Sequence, residues 1–186
     1  GLIAGYYGGW ADDVISWAIN TLSAIPVLFL LLIAVALWQP SAELLTVILA
    51  ALGWVGTSRL VRGEVLSLRE RDYIMAARVI GVKDQRILLK HVIPNAIYPT
   101  LILASMNIGA DVISFAALSF LGIGTEVGYA DWGQMIAFAR NWIPSLATYW
   151  WIVLFPALAL IFFTLGWNLV GDALRDIMDP RLRRGR

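Results

Sequence analysis

Asn107 and Asp111 stand four residues apart inside the apolar run Ala96–Phe120. On a helix that spacing puts both side chains on one face. An ionisable group inside an apolar span is a functional candidate by default. Two readings stay open: the pair lines a pathway for a polar solute, or Asp111 sits at an interface and is simply hydrated. A second acidic group, Asp172, Asp176 and Asp179, follows Gly171 at the end of another apolar run. There, helix capping and pairing with Arg175 or Arg181 account for it better than catalysis. His91 is the single histidine and the chain has no cysteine. A metal site needs several nitrogen, oxygen or sulfur ligands. His91 is therefore read as structural, and no metal site is assigned. With no Ser/His/Asp set and no basic groove carrying base-stacking aromatics, neither an enzyme nor a nucleic-acid binder is indicated, and no catalytic residue is named.

The elements that must position these residues belong to a membrane protein. The 186 residues are 60% hydrophobic and only 15% charged, with a mean hydropathy of +0.75. Soluble domains carry about a quarter charged residues. A bilayer core of about 30 Å needs roughly 20 helical residues. Four runs qualify: Ala18–Trp38, in which Pro26 predicts a kink; Ala42–Leu60; Ala96–Phe120; and Tyr149–Val170, flanked by tryptophans as an aromatic belt requires. Thirteen of the 14 basic residues lie from the end of the second run (Arg59) to the start of the third, or after the fourth. By the positive-inside rule both segments, and both chain ends, are expected in the cytoplasm, with 121–148 outside and folded back on the membrane surface. The start, GLIAGYYGGWADD, reads as the end of a helix broken at Gly8–Gly9, with Asp12 capping the next. Residue 1 is Gly and no basic segment precedes an apolar run. No signal peptide is read, and the chain is expected to be a fragment lacking its N-terminal span or spans.

Between the second and third runs lies the most charged stretch. Val61, Val65, Leu68, Asp72, Met75 and Val79 follow one another at alternating spacings of four and three, one face of a helix. Gly81 stands where a helix end needs a left-handed residue. Asp84 is placed to cap a second helix, Gln85–His91, which Pro94 is expected to end. The pattern alone leaves two readings open: an amphipathic helix lying on anionic lipid, or a helical hairpin presented to a protein.

Residue identities separate them. "MAARVIG", nine residues, then "HVIP" resembles the signature loop of ABC importer permeases, usually Glu-Ala-Ala, three residues, Gly, nine residues, Ile-x-Leu-Pro. Ala76, Ala77, Gly81 and Pro94 match; Met75 and His91 depart from the pattern. The longer string "RDYIMAARVIGVKDQRILLKHVIPN" is similar to the dipeptide/oligopeptide/nickel branch of that family. So are "GYYGGWADD", "LSFLGIG", "DWGQM" and "NLVGDALRDIMDPRLR", in order along almost the whole chain. Ser16, Trp17, Asn20 and Phe115 stand where the branch usually has Met, Arg, Asp and Glu.

The resemblance implies an all-α polytopic bundle, one transmembrane domain over 1–186, with a cytoplasmic coupling hairpin at 61–94. It implies that Ala76, Ala77, Gly81, Val82, Lys83, Asp84, Arg86 and Ile87 meet an ATPase. The implied function is that of a cell-membrane permease subunit importing peptides or similar small solutes. Its partners would be a homologous second permease, two cytoplasmic ATPase subunits and an external solute-binding protein. ATP and Mg would be bound on the ATPases: this sequence has no G-x-x-x-x-G-K-[ST] loop, and no cofactor is expected in it. A nickel permease, or a channel or scaffold whose hairpin merely rests on lipid, are the alternatives.

Overall fold

The computed structural model describes residues 1–145 and 147–178; the expectations on Asp179, Arg181, Arg183, Arg184 and Arg186 lie outside them. Nine α-helices and no strands occur among the described residues. The short α1 (Leu2–Tyr7) stops at Gly8 and Gly9, at φ 66° and 51°, as the double glycine predicts. Helix α2 (Gly9–Ser23) begins without a side-chain cap because its cap position is Gly8; the expected cap, Asp12, is the fourth residue of the helix and binds Arg62.

The first expected span is not one kinked helix. α2 ends at Ser23, and α3 (Val27–Leu37) starts after Pro26 in an extended conformation. At 1.5 Å per residue the 11 residues of α3 cover only about 16 Å, half a bilayer core. The missing N–H and fixed φ of Pro26 suit a helix start and not a helix interior.

α4 (Ala42–Arg69) is capped by Ser41, whose hydroxyl accepts the Leu44 N–H at 3.1 Å. It runs nine residues past the expected end of the second span, about 42 Å in all. α5 (Asp72–Val79) and α6 (Asp84–Ile87) follow. The chain does not leave the helix at Pro94. A single wide π-helical turn, Leu88–Val92, leads into α7 (Ile93–Phe120), so 84–120 is helical throughout. The Ile93 N–H reaches back five residues to the Leu88 carbonyl. Pro94 is next, and its missing donor falls where the turn is already widened, so its ring meets no tight carbonyl ladder. α8 (Trp132–Phe138), a 3-10 segment (Ala139–Ser145) and α9 (Trp151–Met178) complete the chain. Three helices, including 84–120, are long and apolar enough to cross a membrane, or four spans if α2 and α3 together form one.

The described residues divide into two compact units. One holds Gly1–Ile25, Leu52–Ala104 and the described part of 173–186. Its core is Tyr6, Val61, Val65, Ile74, Ile87, Val92 and Ala96, with Leu2, Leu68, Ala77, Val82 and Leu88 packed on it. Small residues let α1 close onto α4: a Cβ on Gly5 would lie 2.9 Å from the Arg62 carbonyl oxygen and from Val65 Cβ. Arg62 grips both carboxylate oxygens of Asp12 at 2.6 and 2.7 Å, and Arg59 donates to Asn20 and Ser23. The other unit holds Pro26–Ala51 and Ser105–Asp172. In it Gly109 admits Thr164, and Gly133 lies so close to the Ala116 carbonyl that any side chain would overlap it. Its turn at 125–134 is tied by side chains. Thr125 donates to Asp131 at 2.7 Å, Asp131 caps α8 through the Gln134 N–H at 2.8 Å, and the Gln134 amide returns to Thr125.

Candidate coupling site

The hairpin forms because two backbone devices interrupt the helix. At Arg71 the chain is extended (φ −71°, ψ 141°), which ends α4 and starts α5. At the far end Gly81 takes φ 80°. The Val82 N–H then bonds the Ala77 carbonyl and the Gly81 N–H bonds the Arg78 carbonyl, both at 3.0 Å. This pair of reverse bonds is the Schellman closure, and a left-handed residue makes it possible. The expected role of Gly81 in the turn is met.

The break at Arg71 resets the helical phase, and this corrects the expected apolar face. Val61, Val65 and Leu68 do face the core, but Asp72, Met75 and Val79 are exposed. On α5 it is Ile74 that is fully buried, with Ala77 beside it. α6 turns Ile87 into the same core, and Val92 lies there too. Five residues of α-helix rotate about 140° beyond a full turn, which would separate Ile87 from Val92. The five-residue bonding of the π turn brings both to one face. Each such buried aliphatic side chain contributes about 1.5–3 kcal/mol.

The turned-out surface follows. Val79 is 87% exposed and Ile80 78%, beside exposed Ala76, Gly81, Lys83, Asp84 and Arg86. Of the eight residues assigned to the hairpin contact, Ala77 and Val82 are half-buried and Ile87 is buried. Those three shape the knob from within. Val79 and Ile80 were missed because a continuous helix would have turned Val79 inward; the Gly81 signal, taken as a true helix end, frees both.

Asp84 does not cap α6; the cap position is Lys83, with no side-chain bond. Its carboxylate instead accepts the Tyr6 hydroxyl at 2.8 Å. Burial, more than the Asp84 carboxylate, pushes the Tyr6 phenol above its ordinary value, and the nearby Arg78 works against both. The hydroxyl is thus a protonated donor at neutral pH. His91 sits in the π turn with its ring 6.2 Å from that of Tyr73, consistent with a packing role. Asn107 and Asp111 share an exposed face of α7. Asp172 and Asp176 lie exposed inside α9, which runs on to Met178, and neither makes an ion pair among the described residues.

Residues 1–184 match the family described as binding-protein-dependent transport system inner membrane component. The chain belongs to that family. Permease proteins of several bacteria are similar to it along essentially all of this chain. A dipeptide transport system permease protein of Alkalihalophilus pseudofirmus is 39% identical over 98% of the chain and 59% of its own length. An oligopeptide transport system permease protein of Mycobacterium tuberculosis is 40% identical over 100% of the chain and 64% of its own. A glutathione transport system permease protein of Pectobacterium atrosepticum is 37% identical, covering 98% and 60%. The chain spans about three fifths of the length of these relatives. The family and the apolar helices make this an all-α membrane protein.

Proposed function

We propose that the chain is the membrane-spanning permease part of an ATP-driven importer of peptides or similar small solutes, with no bond-making chemistry of its own. The observation that carries this reading is the hairpin tip. Val79 and Ile80 project beside Lys83 and Arg86 from a knob whose inside is fully packed. A lipid-surface helix would spread its apolar face along its length. Tyr73 and Met75 are half-exposed nearer the start of α5, but the two most exposed apolar residues of the hairpin, Val79 and Ile80, stand together at its end, the shape that a cleft in a protein accepts.

The assembly contains a homologous second permease, two cytoplasmic ATPase subunits carrying ATP and Mg, and an external solute-binding protein. ATP binding closes the ATPases, moves both hairpins and switches the pathway between inward- and outward-facing states. The hairpin and both chain ends are cytoplasmic and 121–148 is external, from the charge bias. Relatives named for dipeptides, oligopeptides and glutathione favour peptides over nickel.

The test is capture of the ATPase subunits in mild detergent by the full-length gene product. Val79→Asp and Ile80→Asp place a charge in a contact that excludes water, so capture drops at least tenfold for each. Wild-type capture by both variants removes the hairpin from the contact and leaves the channel or scaffold reading.

A further inference from the structure

We propose that Tyr6 is a positioning residue for the coupling helix: its hydroxyl holds Asp84, the first residue of α6, and thereby fixes how Lys83 and Arg86 leave the hairpin. The inference rests on the coupling reading above and deepens it. Tyr6 is 3% exposed, so it cannot touch an ATPase itself. It comes from α1, 78 residues before its partner, yet three parts of the hairpin region converge on it. Asp84 of α6 accepts its hydroxyl at 2.8 Å. The Arg78 guanidinium of α5 lies over its ring, 5.2 Å from the centroid. Arg69, the last residue of α4, donates to its carbonyl at 3.2 Å.

The ring and the hydroxyl have separable roles. The ring fills the core beside Ile74 and Ile87, and phenylalanine would fill it as well. The hydroxyl adds nothing to that packing. Its target is a carboxylate on the first turn of the 84–120 helix, whose start lacks any side-chain cap. That first turn is set off from α7 by the wide π turn at Leu88–Val92. Ile87 anchors its far end in the core, and the Tyr6 bond anchors its near end.

The experiment uses the full-length protein, assembled with its ATPases and external binding protein in liposomes, and reads two quantities: ATPase capture and solute taken up per ATP hydrolysed. Tyr6→Phe is expected to keep capture within about threefold of wild type while uptake per ATP falls roughly tenfold, the scale of one hydrogen bond to a charged group. Asp84→Asn keeps an acceptor for the hydroxyl, and its uptake per ATP is expected to exceed that of Asp84→Leu. Asp84→Leu removes the acceptor and reproduces the loss. Tyr6→Phe combined with Asp84→Leu is no worse than either alone, because both delete one bond. Wild-type uptake per ATP in Tyr6→Phe, or losses that multiply in the double variant, overturn the positioning role. If Tyr6→Phe does not assemble, Asp84→Leu against Asp84→Asn decides: equal uptake by the two overturns it. Val79→Asp runs in parallel. Release of the ATPases by Val79→Asp with normal coupling in Tyr6→Phe sinks the positioning role alone, whereas retention of the ATPases by Val79→Asp sinks the coupling reading itself.

Discussion

Gly81 allows the hairpin to be tested through its backbone alone. It sits at φ 80°, and a Cβ built there would meet nothing within 4 Å. Any cost of substitution is therefore conformational and not steric crowding. Holding an L-residue in the left-handed region costs roughly 1–2 kcal/mol, more for a β-branched side chain and less for Asn. If the turn relaxes instead, the Val82–Ala77 and Gly81–Arg78 bonds are lost, at about 1 kcal/mol each. Both routes cost about 2 kcal/mol for Gly81→Val, so neither offers the turn an easy escape. Spent wholly at the ATPase contact, that is about 30-fold in affinity. Gly81→Ala is expected to lose about tenfold and Gly81→Asn less than threefold. The assay is ATPase capture by the full-length gene product over a range of ATPase concentrations, paired with solute-stimulated ATP hydrolysis in liposomes. The order Gly, Asn, Ala, Val is the signature of a required positive φ. If Gly81→Val keeps wild-type capture while Ala at Lys83, Arg86 and Lys90 abolishes membrane association of the hairpin, the lipid-surface reading is correct and the coupling argument is lost.

Other outcomes follow from single contacts. Asp12→Asn removes the charge from a two-pronged, partly buried pair with Arg62 and is expected to cost about 1–2 kcal/mol, read as a lower thermal midpoint in detergent. Gly133→Ala overlaps the Ala116 carbonyl, so protease cleavage within 121–131 should rise while ATPase capture stays unchanged; equal cleavage rates would show the close approach to be dispensable. Asp111→Asn is expected to leave transport and its pH profile unaltered, as for a hydrated carboxylate, and a displaced profile would put Asp111 in the pathway. In the naturally cysteine-free chain, Val127→Cys should react with a membrane-impermeant thiol reagent on intact cells and Lys83→Cys should not; the reverse pattern overturns the proposed orientation.

What the sequence made legible was whatever a local rule controls. Double glycine at 8–9 ended a helix, Gly81 took the left-handed turn, and three apolar runs became long helices. The errors came where a local rule competed with a neighbouring one. Pro94 reads as a stop, but a widened turn just before it supplies the geometry a proline needs. Pro26 reads as a kink inside a span, yet it starts a new helix. Helical periodicity from Val61 to Val79 looked unbroken because the interruption at Arg71 leaves the apolar spacing intact while shifting its phase. The bond from Tyr6 to Asp84 joins residues 78 apart, and no pattern within either segment announces it. Asp84 reads as a cap because a carboxylate just before a short helix can accept its free N–H groups.

The wide turn at Leu88–Val92 also bears on how this chain can change length. An α-helix carries each added or removed residue as a rotation of about 100° of everything beyond it. In a span that rotation would exchange the buried and the exposed face. Here one residue of slack is already stored between the hairpin and the span. Deleting Leu89 would bring Ile87 and Val92 to an ordinary four-residue spacing, both still facing the core, with the whole of α7 left in its present register. The strain would fall locally, on the Pro94 ring against the backbone one turn earlier. A descendant of this sequence shortened by one residue at this point would keep its membrane helix facing as it does now; the same deletion within α4 or α9 would not.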